Sequence, residues 1–259
     1  MNVIKNRWIS IELEMENPNL NLNSAKDDSY VMKYRDYVSS VLRTNFKVDK
    51  DYSLLAGGLE VTGNMEPLSK WIKLILYLGK EGFVVTTKCG LHIHIDVRDI
   101  ITDLKDLKSL VQGILKVQRS SIHILKRHTN AYHNLLPPVF LEHLLESESI
   151  EDFAEKYLSQ LRGGQRIKNP VLALKEKKNE HNYWIDLSPI LRQLLKVTDK
   201  KHPVGSIEIR GKASPALNQN HTVDHYEVNE FKTTLKDLLY LGNRILVYVK
   251  TKKFKKYLV

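Results

Sequence analysis

Within segment 89–96, two histidines and an aspartate occupy every second position from 92 to 96, and aliphatic residues lie between them. A period of two is typical of a β-strand, so His92, His94 and Asp96 are predicted to share one face. Residues two apart on a strand lie about 6.5–7 Å apart, which lets their side-chain tips converge on one divalent cation or phosphate. The alternative is an edge strand with these side chains in solvent, where two histidines are unusual.

A second alternating segment, 8–16, carries carboxylates. Glu12, Glu14 and Glu16 are predicted on one face, with aliphatic residues and a methionine on the other. Like charges on one face repel one another, and a divalent cation opposite them would explain the pattern. A solvated acidic edge is the alternative explanation.

Two further predicted strands carry charged residues. Glu60 lies within segment 57–62, and Glu208 and Arg210 share one face of segment 203–210. Carboxylates with few histidines favour Mg²⁺ or Mn²⁺ over zinc, and an arginine beside them suits a phosphoryl group. The glutamate and arginine could instead form only a surface ion pair.

Composition bounds the class of protein. The 259 residues include 42% hydrophobic residues, enough for a substantial core in one large domain or two small ones. The net charge of +10 suggests anionic partners such as ATP, nucleic acid, an acidic peptide or a membrane surface. The lone Cys89 excludes an intrachain disulfide and a cysteine zinc cluster. Without a long apolar run or a signal peptide, we expect a cytoplasmic protein without a membrane span.

Hydrophobic periodicity predicts an α+β fold. We expect a single domain, 1–259, in which a curved antiparallel sheet of five or six strands carries the polar residues on its concave face and helices cover the other face. A helical elaboration is expected over about 104–161, and a basic, partly frayed tail over about 250–259. Helices are predicted at 30–42, 67–79, 104–130, 149–161 and 226–249. The remaining strands are predicted at 48–54, 83–87, 171–175 and 181–187.

Five segments, in order along the chain, resemble motifs of one family. They are Glu-Leu-Glu at 12–14, Asp-Tyr-Ser-Leu at 51–54, Gly-Leu-Glu-Val at 58–61, Cys-Gly-Leu-His-Ile-His at 89–94 and Ser-Ile-Glu-Ile-Arg at 206–210. The chain resembles the amidoligases of bacteria and phages, within the glutamine-synthetase-like carboxylate–amine ligase superfamily. The resemblance covers most of the chain and implies a fold like the glutamine synthetase catalytic domain.

The same resemblance implies an ATP-dependent ligase that uses Mg²⁺ or Mn²⁺ and joins a carboxylate to an amine through an acyl phosphate. The carboxylate and the amine would be free molecules or groups linked to a peptide or another macromolecule. By motif position, Glu14 and Glu60 would hold one metal, and Glu12, His92 and Glu208 the other. His94 would contact phosphate or substrate and Arg210 the transferring phosphoryl group or the carboxylate, with Arg127 and Arg166 as additional phosphate contacts.

Three departures from the family pattern affect the expected substrate contacts more than the metal ligands. Tyr52 replaces the usual glycine, Asp186 stands where asparagine is commoner, and Lys-Ala-Ser-Pro at 212–215 replaces a Gly-Thr turn. A catalytically altered relative therefore remains an alternative.

Two other classes of protein are open. A basic, non-catalytic relative of the ligases could bind nucleic acid through its lysines and arginines. His92-x-His94-x-Asp96 also resembles the first motif of binuclear zinc hydrolases, but that motif normally continues with another histidine, and here Val97 follows Asp96.

Overall fold

The computed structural model describes residues 4, 7–20, 29–51, 54, 57–65, 67–86, 89–128, 134–176, 183–197, 203–212 and 225–256. Tyr52 and residues 213–215, two of the departures noted above, lie outside the described residues. So do residues 257–259 of the predicted tail.

Six strands form one open antiparallel sheet, in the order β2-β3-β1-β4-β6-β5. The prediction of an α+β fold with five or six strands is confirmed. The period-two segments at 8–16, 89–96 and 203–210 supply β1, β4 and β6. The strands are β1 Ile9–Met15, β2 Lys47–Lys50, β3 Leu59–Asn64, β4 Gly90–Asp96, β5 Ile185–Asp186 and β6 Ser206–Lys212.

Nine α-helices accompany the sheet in the described part of the chain. They are α1 Ser29–Asp36, α2 Leu68–Lys80, α3 Leu104–Ser120, α4 Ile122–His128, α5 Pro138–Leu145, α6 Ile150–Leu161, α7 Pro170–Lys175, α8 Ser188–Leu194 and α9 His225–Lys256. A π-helical turn, Tyr37–Leu42, continues directly from α1. Helix α6 is capped by Ser149, whose side chain accepts a hydrogen bond from the backbone N–H of Asp152.

Several predicted elements differ in the structure. Segment 171–175 was expected as a strand and is helix α7, and only Val84 of the described part of segment 83–87 forms a bridge, with Glu16. The helix predicted over 104–130 is divided at Ser121 into α3 and α4. Helix α9 extends to Lys256, into the segment predicted as a basic tail over about 250–259.

Contacts divide the chain into two compact units. Unit 1 comprises residues 1–7, 95–209 and 239–259, and unit 2 comprises residues 8–94 and 210–238. Among the described residues, no helix combines the length and apolar character that crossing a membrane requires.

The core of unit 2 is built around a buried tryptophan. The indole N–H of Trp71 on α2 donates a hydrogen bond to the carbonyl of Asn64, 2.7 Å away, where β3 ends. The ring of Phe46 lies 4.4 Å from that of Trp71, centroid to centroid. Gly63 lets β3 approach the Phe46 ring, since a Cβ at this position would collide with it. These contacts hold α2 against β3, which carries Glu60.

The core of unit 1 contains a buried polar chain around another tryptophan. Trp184 donates its indole N–H to the side-chain oxygen of Gln118, 2.8 Å away, and the Gln118 amide donates to the Leu136 carbonyl at 2.7 Å. Each of these buried polar groups has a partner, so burying them does not leave a desolvated donor or acceptor. The arrangement connects α3 to the segments before α5 and β5.

Within unit 1, the second half of α9 packs against residues of β4 and β6. Gly242 faces Ile95 of β4 and Ile209 of β6, and a Cβ at position 242 would collide with Ile95. The glycine therefore allows close contact between helix and sheet. The apolar residues of β4, which alternate with its histidines, are fully buried.

Candidate metal centre

The alternation predicted for β1 is present. Ile11 and Leu13 are buried, and Glu12 and Glu14 lie on the opposite face with intermediate exposure. In the antiparallel pairing with β3, Glu14 stands opposite Glu60. Directly paired residues share a face of the sheet, so β1 and β3 present their carboxylates on the same side.

Glu12 joins both histidines of β4 into one hydrogen-bonded group. Nδ1 of His92 lies 2.9 Å from Oε1 of Glu12, and Nε2 of His94 lies 3.3 Å from Oε2. Both histidines are buried, with only 4% of each residue exposed. Because each carboxylate oxygen contacts a different ring, Glu12 orients the two histidines together.

Gly90, the first residue of β4, positions the second carboxylate. Its backbone N–H donates a hydrogen bond to Oε2 of Glu14 at 2.6 Å. A Cβ at Gly90 would collide with Nε2 of His92 and would lie 2.9 Å from Oε2 of Glu14. The glycine therefore leaves the space in which the Glu14 carboxylate and the His92 ring approach each other.

Together these contacts produce a cluster of three side chains suited to a cation. One ligand atom each from Glu12, Glu14 and His92 lies within 4.8 Å of the other two. Two carboxylates and one imidazole form a donor set suited to Mg²⁺ or Mn²⁺, which prefer oxygen ligands. We call this group the Glu12–Glu14–His92 cluster.

The electrostatics of the cluster place the two glutamates in different states. Burial alone would raise the pKa of Glu12, but the hydrogen bonds from His92 and His94 outweigh it and hold that pKa well below its usual range. Burial raises the pKa of Glu14 to about 7, helped by the nearby charges of Glu12 and Asp51. Glu14 is consequently partly protonated at neutral pH.

His92 is shifted in the direction that favours its cation. Burial disfavours the charged imidazole, but the charge of Glu14 and the hydrogen bond to Glu12 prevail and raise the pKa of His92 to about 9. The positive charge of Arg210 opposes this rise. His92 is therefore protonated and Glu14 partly protonated at neutral pH. These protons compensate the negative charge of the cluster, which a bound metal cation would compensate in their place.

Asp51 belongs to this electrostatic environment, although the metal ligands predicted from the sequence did not include it. It is buried, follows β2 directly and raises the pKa of Glu14. Its backbone N–H donates a hydrogen bond to the carbonyl of Gly58, just before β3. Its position one residue after a strand in the family-like segment 51–54 was the available signal.

The other predicted site residues fall in both units. Arg210 and Glu60 lie in unit 2 with the cluster, and Arg210 is buried. Glu208 lies in unit 1, buried on β6 opposite Asp186 of β5. Asp186 itself accepts hydrogen bonds from the Tyr157 hydroxyl and the Ser188 backbone N–H, a structural role at the start of α8.

The two additional arginines also lie in unit 1. Arg127 is in the last turn of α4, and Arg166 follows α6, where its exposed guanidinium lies 3.5 Å from Glu155.

Asp96, the third polar residue of β4, has a structural partner. Its carboxylate accepts hydrogen bonds from the backbone N–H and the guanidinium of Arg98, at 2.5–3.1 Å. These hydrogen bonds lower the pKa of Asp96. The residue therefore stabilises the exit of β4, whereas His92 and His94 contact Glu12.

Comparisons of the chain with protein-family models and with curated proteins found no match.

Proposed function

We propose that this protein is an ATP- and metal-dependent carboxylate–amine ligase of the amidoligase type. The observation that carries the proposal is the Glu12–Glu14–His92 cluster, built on adjacent strands of an antiparallel sheet within a family-like order of sequence motifs. The proposal includes a curved, glutamine-synthetase-like sheet and a cytoplasmic location, where ATP and Mg²⁺ are plentiful.

The donor chemistry of the cluster fits a hard divalent cation. Glu12, Glu14 and His92 would hold one Mg²⁺ or Mn²⁺, and Glu60, which stands opposite Glu14 in unit 2, is a proposed further ligand. A bound cation neutralises charge on phosphate oxygens. Around the cation, Glu12 orients both imidazoles, and Gly90 holds the Glu14 carboxylate by its backbone N–H.

The proposed reaction has two steps. An oxygen of the substrate carboxylate attacks the γ-phosphorus of ATP, and ADP leaves with the electron pair of the broken P–O bond. The amine nitrogen then attacks the acyl carbon, phosphate leaves, and the nitrogen loses a proton to give the amide. Negative charge develops on the phosphoryl oxygens in the first step, and a nearby guanidinium stabilises such charge.

Arg210 is the residue proposed for that stabilisation. It is buried, and its positive charge acts to lower the pKa of His92 in the cluster. His94, held by Glu12, is proposed to contact phosphate or substrate from the same strand as His92.

ADP formation tests this function. Purified protein is incubated with ATP, Mg²⁺ or Mn²⁺ and a panel of acid–amine pairs, and ADP and amide are measured. We expect ADP release only when metal, acid and amine are all present, and its loss in His92→Ala. Asp96→Asn is the matched control, because it changes a polar residue of the same strand that pairs with Arg98. Tightly bound zinc with hydrolysis and no amide would indicate a metallohydrolase instead.

A further inference from the structure

A basic groove lies in unit 1 between α3 and the C-terminal part of α9. Its volume is about 640 Å³, and its lining includes Lys116 of α3 and Arg244, Tyr248 and Lys252 of α9. None of the residues described along its lining is acidic. The groove thus concentrates three positive charges at one place on a chain with a net charge of +10.

The α9 side of the groove continues as a regular stripe of aromatic and basic residues. Tyr240, Arg244, Tyr248 and Lys252 are spaced by four, so they lie on one face of the helix over a length of about 18 Å. Aromatic rings and cations alternate along this face. Tyr240 is 46% exposed, which leaves much of its ring open to solvent.

Contacts within the groove hold the side chains in place. The ammonium groups of Lys116 and Lys252 lie 5.5 Å and 5.7 Å from the centroid of the Tyr248 ring. The Tyr248 hydroxyl donates a hydrogen bond to Gln112 at 3.3 Å. One ring thus gathers two lysines from different helices by cation–π attraction, which reduces the entropy that they would lose on binding an anion.

Arg244 is held in a similar way. Its Nη1 donates to the hydroxyl of Ser121 at 2.9 Å, and its guanidinium carbon lies 5.6 Å from the centroid of the Tyr240 ring. Ser121 is the buried residue at which α3 and α4 separate. The break between these helices therefore provides an anchor for a groove cation.

We propose that this groove binds single-stranded nucleic acid. Lysines and arginine at the groove would contact successive phosphates, and the exposed Tyr240 ring would stack on a base. A duplex would need only the cations, since its bases are already stacked on one another. The exposed ring beside the cations favours a single strand. The sequence beyond Lys252 adds three further lysines, Lys253, Lys255 and Lys256.

This inference does not depend on the ligase proposal. All of the groove residues belong to unit 1, whereas Glu12, Glu14 and His92 belong to unit 2. Either proposal can therefore fail without affecting the other. Metal titration distinguishes them, because it reports on the cluster of unit 2 and not on the groove.

The first test compares two double variants with the same loss of charge. Lys116→Gln/Lys252→Gln removes the groove lysines, and Lys105→Gln/Lys232→Gln removes two exposed lysines of the same helices outside the groove lining. Binding of fluorescent oligo-dT and oligo-rU to the full chain is measured by anisotropy at several salt concentrations. We expect the groove variant to bind about ten-fold more weakly and its salt slope to fall by about 1.4, since each single-strand phosphate contact contributes about 0.7. The control should bind within about two-fold of the unmodified protein.

The second test addresses the aromatic ring. Tyr240→Leu should weaken binding at least about five-fold, because a stacked base contributes strongly to affinity, and Tyr240→Phe should restore it. Circular dichroism and Mg²⁺ titration of each variant verify that fold and metal binding are intact.

Three results would overturn the proposal. The first is no binding of the oligonucleotides to the unmodified protein, and the second is an equal loss of affinity in the two double variants. The third is competition by poly-glutamate as strong as that by the oligonucleotides and independent of Tyr240, which would assign the groove to an acidic protein partner.

Discussion

Glu12 organises the candidate metal centre, because each of its carboxylate oxygens contacts a different imidazole of β4. The same hydrogen bonds keep its pKa well below the usual range, so it remains ionised across the physiological pH range. Burial raises the pKa of Glu14, two residues further along β1, to about 7. Two glutamates on one face of one strand therefore differ in protonation because their hydrogen-bond partners differ.

This difference predicts a pH-dependent metal affinity. Protons on Glu14 and His92 compete with a cation, so affinity should rise with pH through about 7, where Glu14 loses its proton, and continue to rise towards about 9, where His92 does. Isothermal titration with Mg²⁺ or Mn²⁺ between pH 6 and 9, in buffers of different ionisation enthalpy, measures both the affinity and the protons released. A flat profile without proton release would contradict the assignment of these two ligands.

Gly90→Ala should weaken both metal binding and folding. The added Cβ would meet the Nε2 of His92 and the Oε2 of Glu14, both at the ends of side chains that can move. The expected result is a loss of about 10-fold or more in metal affinity with about 1–3 kcal/mol of destabilisation. Titration calorimetry and urea denaturation give the two values.

Gly164→Ala is the control for that experiment. This glycine has a positive φ of 89° and no neighbour within 4 Å of an added Cβ, so its replacement introduces backbone strain without touching the cluster. Unchanged metal affinity in Gly90→Ala, or an equal loss in Gly164→Ala, would show that Gly90 does not position the ligands.

Strands β1, β4 and β6 could be predicted from the sequence, because each alternates apolar and polar residues over several positions. Helix α7 could not be predicted from periodicity, since its six residues are too few to distinguish a period of 3.6 from one of 2. Asn169 followed by Pro170 was the better signal, because asparagine caps helices and proline suits their first turn.

The composition of the candidate site was predictable only in part. Glu12, Glu14 and His92 follow from strand alternation and the family resemblance. The pairing of Glu14 with Glu60 and the influence of Asp51 on Glu14 depend on strand register and on tertiary structure, which alternation within one strand does not specify.

The role of Asn169 as the cap of α7 can be tested directly. The Asn169 side chain accepts a hydrogen bond from the backbone N–H of Leu172 at 2.9 Å. Asn169→Ala should therefore reduce the free energy of unfolding by about 0.5–2 kcal/mol, and Asn169→Asp should retain most of it. Urea denaturation followed by circular dichroism measures the change. Equal stability of the alanine and aspartate variants would contradict the capping role.

Charge is distributed so that the two proposed sites have opposite character. The Glu12–Glu14–His92 cluster in unit 2 is acidic and suits a cation, and the groove of unit 1 carries Lys116, Arg244 and Lys252. The high net positive charge of the chain therefore does not prevent a local concentration of carboxylates. Net charge alone could predict an anionic partner but could not locate either site.

Metal binding should stabilise the whole protein by mass action. At a free Mg²⁺ or Mn²⁺ concentration of 100 times the dissociation constant, the free energy of unfolding should increase by about 2.7 kcal/mol. Glu14→Gln/His92→Ala should abolish this increase, and Asp96→Asn should keep it. Urea denaturation at graded metal concentrations measures it, and an equal increase in the double variant would place the stabilising site elsewhere.

The two buried tryptophans provide separate spectroscopic reporters. Trp71 donates its indole N–H within unit 2 and Trp184 within unit 1, whereas the third tryptophan, Trp8, is 53% exposed. In a Trp8→Phe background, replacing either buried tryptophan by phenylalanine leaves a single tryptophan, which lies in one unit. Emission from Trp71 would then follow the unit that contains the cluster, and emission from Trp184 the unit that contains the groove. Comparing their unfolding curves would reveal whether the units lose structure in one cooperative step or in sequence.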